Sequence, residues 1–412
     1  MRQSQLFTKT RKEAPADEVS KNAQLLIRAG YVNKEMAGVY SYLPLGLRVL
    51  NKIENIIREE MNMVQGQEIK MATLHPSDPW KITKGWENVD VLFKIQSRTE
   101  KEYALGQSEE EIVTPIAQSF INSYKDMPIA IYQIGQKYRD ELRAKSGIMR
   151  GREFGMKDMY SFHTDQEDFE RFYTLVKEAY LRVFTRAGLD AKVTEASGGS
   201  FTEKLSYEYM VITDAGEDDI VYCSKCTHCA NIEVSNAKAG DTCPKCGNAE
   251  LLPARAAEVG NVFDLGQKYV KDFGFTYKDS EGGDQFPIMG CYGIGTTRLM
   301  GTIVEVLSDE HGIVWPESVA PFQVHLISLG EDVKDVAEKL YKDLGDSNIE
   351  VLFDDRTGVT AGEKFADADL LGMPIRVVVS KRSLENGGIE IKKRTEENSE
   401  IVALEEIVKH VQ

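Results

Sequence analysis

The sequence predicts a mixed α/β (α+β) protein with an antiparallel-sheet core, a small cysteine-rich insertion and a C-terminal α/β domain. Three observations carry this. Tyr138 to His163 holds two alternating segments around a basic loop, the pattern of an antiparallel hairpin. Five of the six cysteines fall between Cys223 and Cys246. Past Pro316, strand and helix patterns alternate at short spacing. The expected boundaries are 1–212 and 256–318 for the core, 213–255 for the insertion and 319–412 for the last domain.

Taken in order, Leu45, Val49, Ile53, Ile56 and Ile57 recur at helical spacing between Pro44 and Met61, and Gln67 to Leu74 then reads as a strand. The hairpin follows, carrying Arg139 and Phe154 onto one face. Thr164 and Glu167 form a capping-box pattern. Behind it Phe169, Phe172, Tyr173, Val176, Ala179, Tyr180 and Val183 make an amphipathic stripe that ends near Gly188. From Gly290, a glycine-rich turn leads into a helix that runs through Leu307. The last domain reads as strands at 322–328, 349–353, 375–380 and 389–393, with helices at 333–344, 363–371 and 401–411.

At 412 residues, 42% hydrophobic and 28% charged, the chain has room for two or three domains and a large core. Its N-terminus lacks an apolar signal region and no run nears the roughly 20 apolar residues of a membrane span, so a cytoplasmic protein without a membrane partner is expected. A net charge of −16 argues against a general nucleic-acid coating protein, and no DNA partner is expected. Local basic groups remain available at Lys381, Arg382, Lys392, Lys393 and Arg394.

The chemistry-bearing residues are charged and clustered. Arginine forks such as Arg139, Arg150 and Arg152 match phosphate oxygens, and the Phe154 ring can stack on a nucleobase. The glycines of Gly290–Gly295 let backbone approach a ligand, with Arg298 in the first turns of the following helix. Two CxxC pairs across a short spacer read as a zinc ribbon, although Cys223, Cys226 and Cys229 offer two overlapping first pairs and His228 competes. Cys243 and Cys246 form the second pair. Four thiolates leave no open position, so such an ion would be structural. Cys291 is expected to be a small packed residue.

The order of Leu105–Glu111, the hairpin and Gly290–Arg298 resembles the catalytic core of class II aminoacyl-tRNA synthetases. YQIGQKYRDE, MRGREFGMKDMYSFHT, EVGNVFDLG, GCYGIG and VLFDDR are similar in wording and order to the bacterial-type prolyl-tRNA synthetases, over nearly the whole chain. The resemblance implies ligation of L-proline to tRNA(Pro) through a prolyl-adenylate, with ATP as substrate, Mg²⁺, a structural Zn²⁺ and a homodimer. It assigns Arg139 to the α-phosphate and the proline carboxylate, Glu141 to the adenine amino group, Phe154 and Arg298 to the two adenine faces, and Arg150 and Arg152 to the outer phosphates. Arg139 and Arg298 are the catalytic candidates. Glu258 and Asn261 match ATP contacts. Ser108, Glu110, His163 and Phe263 would form the proline pocket, with Glu109 and Glu111 facing solvent or neighbouring backbone. Asp354, Asp355, Arg356 and Lys364 resemble an anticodon-reading surface. The family's cysteine pattern favours Cys223 and Cys226 with Cys243 and Cys246, leaving Cys229 spare.

Departures from the family carry expectations of their own. Ala72 follows Met71 where a proline is usual, in a motif that lies at the dimer interface of relatives. Ser108 replaces a threonine but keeps a hydroxyl. Tyr207 stands in for a histidine, and no substrate contact is assigned to it or to Thr202–Lys204. The long editing insertion between the second and third motifs is missing, so no cis-editing is expected. The alternative, a catalytically silent paralogue that binds RNA or regulates another enzyme, would be expected to lose Arg139, Arg152 and Arg298; all three are present.

Overall fold

The computed structural model describes residues 1–197, 204–247 and 249–411. Thr202 and Glu203 therefore lie outside the described residues. The chain forms two compact units. One comprises Met36–Val39 and Ile53–Thr302, the other Met1–Glu35, Tyr40–Lys52 and Ile303–Gln412.

The larger unit is built on a nine-stranded, largely antiparallel sheet. Its centre contains four strands: β1 (Ile129–Tyr138), β2 (Glu153–His163), β3 (Leu251–Gly266) and β4 (Ile288–Gly295). β1 and β2 are the expected hairpin, paired from Ile129↔Phe162 to Tyr138↔Glu153. Arg139 sits one residue past the strand end. Side chains on a strand alternate between faces, so the sheet sorts its residues into two layers. One layer packs on helix α1 (Gln166–Arg186), whose Phe169, Phe172, Val176, Ala179, Tyr180 and Val183 are buried as the stripe predicts. On the other face, Phe162, Phe263, Met289 and Cys291 pack with Val113 and Ala117 of the helix Glu110–Phe120.

Three local expectations are corrected. Only Gln67–Glu68 joins the large sheet; the backbone N–H of Met71 then donates to Gln133 Oε1 (3.0 Å), the chain leaves the sheet, and Leu74–Pro76 pairs with Glu102–Leu105 in a separate three-stranded sheet. The cap of α1 is Asp165, whose carboxylate accepts the Asp168 N–H at 2.9 Å, while the Thr164 hydroxyl donates to Asp165 instead. The glycine-rich stretch is a strand, not a turn: β4 runs through Gly295 directly into helix α2 (Thr296–Leu307).

In the other unit, Val351–Asp354, Val324–Leu329 and Ile375–Ser380 form a parallel set extended antiparallel by Ile389–Lys393 and Glu400–Val402. Val324, Leu326, Leu340, Val377 and Ile391 anchor its core. The single helix expected over 401–411 is instead a strand, Glu400–Val402, followed by two short helical turns, because Ile401 and its neighbours complete the ladder beside Ile389–Ile391. No helix among the described residues is long and apolar enough to cross a membrane.

Candidate active site

The ends of β1 and β2, the middle of β3, the end of β4 and the start of α2 line one open cleft. Arg139, Glu141, Arg150, Phe154, Glu258, Asn261 and Arg298 all line it. The Arg139 guanidinium lies 5.2 Å from the Phe154 ring centre, a cation–π distance. Its Nε is buried with no hydrogen-bond partner. Burial and the neighbouring Arg298 lower its pKa, opposed by Glu258, Glu141 and Glu110. The hydroxyl of Thr297, at the mouth of α2, is likewise buried and unpartnered.

Around Arg139 the other groups are tied to one another. Arg298 donates to Met149 O (2.8 Å) and pairs with Glu258 (3.2 Å), which accepts from Asn261 Nδ2 at 2.7 Å. Arg150 is held by Glu217 (2.5 Å) and Glu141 (3.1 Å). Arg152 donates to the carbonyls of Glu141 (3.1 Å) and Ala37 (2.7 Å). Gly293 leaves space for this arrangement, since a Cβ there would meet Asn261 Oδ1 at 2.9 Å. Behind Glu258 sit two more carboxylates: burial and Glu258 push Glu208 up to about 8 and also raise Asp218. A carboxylate cluster this reluctant to ionise suits a cation.

Ser108, Glu110, Phe263 and Cys291 meet on the same face of the sheet. Glu110 is fully buried; its Oε1 accepts from Cys291 Sγ at 3.1 Å, and its Oε2 makes no well-formed hydrogen bond, with the Ser108 hydroxyl near enough to the carboxylate to oppose the effect of burial. Burial raises its pKa. His163 does not join this group. It lies on the opposite face, against Phe169 and Phe172, with Nδ1 2.6 Å from Asp168 and Nε2 2.9 Å from Ser161. Position 163 has the wrong strand parity: Tyr160 and Phe162 face the Glu110 side, Ser161 and His163 the helix α1 side. The pocket-wall assignment of His163 is therefore corrected.

Glu109 and Glu111 do not face solvent; both are buried. Glu109 is gripped by Lys137 (2.8 Å) and His75 (2.9 Å), which hold it below the usual carboxylate range against the opposing effect of burial. Burial pushes Glu111 up to about 8, next to a bond from the Thr83 hydroxyl at 2.9 Å. Lys137, Asp158 and His75 went unnoticed in the sequence. Lys137 is two residues before Arg139, so strand alternation alone gives it an inward face.

Away from the cleft, the sulfurs of Cys223, Cys226, Cys243 and Cys246 lie within 4.8 Å of one another, with Cys223–Cys246 at 3.7 Å and Cys226–Cys243 at 3.6 Å. A tetrahedron with 2.3 Å zinc–sulfur arms has edges of about 3.8 Å, so these four fit a zinc ion. Cys229 is not in the group; it is buried and accepts from Thr194 Oγ1 at 3.0 Å. His228 is half-buried, and its carbonyl accepts the Cys223 N–H.

In the C-terminal domain the expected reading surface is largely internal. Asp354 is fully buried, gripped by Arg356 (2.7 Å) and Lys364 (3.5 Å); Lys364 is also buried, donating to Ser328 O at 2.9 Å. The anticodon-contact assignments of Asp354 and Lys364 are corrected, because both side chains are committed inside the fold. Arg356 (21% exposed) and Asp355 (15%) reach an open cleft. Arg394 is fixed by Asp309 at 2.6 Å.

Residues 93–307 match the class II tRNA synthetase core domain (G, H, P, S and T), and residues 323–412 match the anticodon binding domain. The chain is 33% identical to the proline--tRNA ligase of Moorella thermoacetica, covering all of this chain and 98% of that protein, and 34% identical to that of Geobacillus sp., covering 99% and 98%. The Moorella alignment runs over 564 positions against 412 residues here, so the relative holds long stretches without a counterpart in this chain. Two structures of Cryptosporidium parvum prolyl-tRNA synthetase share the fold. One, with halofuginone and AMPPNP, has a TM-score of 0.79 at 17% identity, covering 95% of this chain and 75% of that one; the other, with L-proline and AMP, has a TM-score of 0.78 at 17% identity, covering 95% and 73%. With its core and anticodon-binding domains matched and its full length aligned to proline--tRNA ligases, the chain belongs to the prolyl-tRNA synthetase family of class II aminoacyl-tRNA synthetases, in a short form.

Proposed function

We propose that the protein ligates L-proline to tRNA(Pro) in two steps at this cleft. A carboxylate oxygen of proline attacks the α-phosphorus of ATP, the bond to the bridging oxygen breaks and pyrophosphate leaves. The terminal ribose hydroxyl of the tRNA then attacks the activated carbonyl, and AMP leaves. The observation that carries this reading is a pair of orphans on one side of the sheet, the guanidinium Nε of Arg139 and the carboxylate Oε2 of Glu110. A buried polar atom without a partner costs stability, and a substrate with a secondary ammonium and an anionic carboxyl–phosphate junction would satisfy both.

Arg139 meets charge developing between carboxylate and α-phosphate, while Phe154 and Arg298 sandwich the adenine and Glu141 accepts from its amino group. Arg150 and Arg152 take the outer phosphates, which replace Glu141 and Glu217 as partners of Arg150. Ser108 and Phe263 complete the proline pocket with Glu110. A Mg²⁺ ion would be held by Glu258, with Asn261 beside it, and would neutralise phosphate charge. A Zn²⁺ ion on the four thiolates would be structural. Arg356 meets the anticodon, whose single-stranded bases are read by stacking and edge hydrogen bonds. The protein works as a cytoplasmic homodimer.

Without an editing insertion, selectivity rests on the pocket alone, where each methylene gives only about 10–200-fold discrimination. Measurable alanine activation with no deacylation of Ala-tRNA is expected; hydrolysis of that ester by the purified chain would contradict it. The reading as a whole is tested by ATP–pyrophosphate exchange with each amino acid in turn. Strong exchange with proline supports it, and exchange with another amino acid alone replaces it.

A further inference from the structure

Lys137 has no place in the reaction above, yet it is among the largest fully buried side chains of the protein. Its ammonium is 2.8 Å from Glu109 Oε1 and 2.9 Å from Asp158 Oδ1, and neither carboxylate is more than 2% exposed. These three groups come from three separate elements. Glu109 opens the helix whose first residue is Glu110. Lys137 is on β1, two residues before Arg139, and Asp158 is on β2, two residues before Tyr160. Tyr160 closes the circuit, donating its hydroxyl to Asp158 Oδ2 (3.1 Å) and accepting the Glu109 N–H (3.0 Å).

Burying three ionic groups rarely stabilises a fold relative to apolar residues of the same volume, so stability gives little reason for this cluster. What a buried network of paired charges does supply is a single geometry. Here that geometry fixes the spacing between the neighbours of its members, Glu110 and Arg139, each of which has a buried polar atom without a hydrogen bond.

We propose that Lys137 is a positioning residue for the amino-acid substrate. From inside the sheet it ties the Ser108–Glu110 turn to the strand end carrying Arg139, and so sets the distance between the groups that hold the substrate's two ends. The inference rests on the amino-acid activation reading above. Without Lys137, Glu109 and Asp158 face each other as anions with only His75 left beside Glu109, and the turn moves away from the sheet.

The test is the exchange assay with Lys137→Met, varying proline and ATP separately. KM for proline should rise at least ~10-fold while KM for ATP stays within about twofold, since the adenine end of the cleft does not depend on the triad. Glu109→Gln added to Lys137→Met should recover part of the loss by removing one of the two stranded anions. A lower kcat with both KM values unchanged would mean fewer folded molecules and would overturn the proposal. Should Lys137→Met fail to fold, Asp158→Asn serves the same purpose and keeps the shape; an unchanged proline KM there also overturns it. If the wild type exchanges only with a different amino acid, the proline reading fails, but a raised KM for that amino acid in the variants still supports the positioning role.

Discussion

The two ends of this chain treat charge in opposite ways. Arg139 at the catalytic cleft and Glu110 beside Cys291 each keep a buried polar atom without a hydrogen bond. In the C-terminal domain, Asp354 is saturated by Arg356 and Lys364, and Arg356 also pairs with Asp367 at 2.8 Å. Both sets look alike in sequence, as arginines and acids in polar segments. Arg376 Nε in the C-terminal domain is equally unpartnered, so an orphan atom marks a place for a ligand only where, as at Arg139, it stands among the other side chains of a cleft, whereas a mutually satisfied group such as Asp354 marks structure.

The comparison extends to thiols, and there the largest effect is expected. Four facing sulfurs within 4.8 Å of one another should take a metal, whose binding in zinc-finger peptides is worth about 10–16 kcal/mol. Elemental analysis should find one zinc per chain in the wild type and none in Cys243→Ser; a folded wild type without metal would break the analogy. Next comes Asp354→Ala. Removing one partner of a buried ion network typically costs about 3–5 kcal/mol, so denaturant unfolding should show a weakened C-terminal domain while proline-dependent exchange is kept. If this variant instead loses only tRNA affinity at full stability, Asp354 reads RNA directly.

Arg139→Gln should do the reverse. Exchange should fall by about 10²–10³-fold, or about 2.7–4 kcal/mol, while the unfolding midpoint holds or rises because a poorly compensated cation has gone. A stability loss equal to that of Asp354→Ala would erase the contrast. The smallest effect concerns Lys157, which is fully buried against Tyr180 with no carboxylate bonded to it, and which burial pushes down to about 7. Unfolded, a lysine titrates near 10.4, so between roughly pH 7 and 10 the unfolded chain carries a proton that the folded chain does not. Stability should therefore rise with pH in that window, by at most ~1.4 kcal/mol per unit. Urea titrations across it should show that slope flattened in Lys157→Met; an unchanged slope would mean that Lys157 stays charged when folded.

Much of this was legible from spacing. Strand alternation in Tyr138–His163 gives the hairpin and sets Arg139 beside Phe154, and the two CxxC pairs, with the resemblance choosing Cys223 and Cys226 over Cys229, give the four-sulfur group. The errors have physical causes. The resemblance assigns His163 to the pocket, whereas a single step along a strand moves a side chain to the opposite layer. Lys137 escaped because a lysine in a strand reads as solvated until its partners are known, and Glu109 and Asp158 lie 28 and 21 residues away in the chain. Asp354 shares this difficulty, since Lys364 reaches it only once the parallel strands and the intervening helix have folded. Glu400–Val402 was read as helix because the ladder partner that makes it a strand, Ile389–Ile391, is a tertiary fact.

The account stands on the unpartnered atoms of Arg139 and Glu110 being the two ends of one substrate grip. A crystal structure with a non-hydrolysable prolyl-adenylate analogue tests it most directly. It should show Arg139 within hydrogen-bonding distance of the linkage that mimics the α-phosphate, and Glu110 Oε2 bonded to the pyrrolidine nitrogen. An analogue bound elsewhere, or bound in the cleft with both atoms still bare, would contradict it.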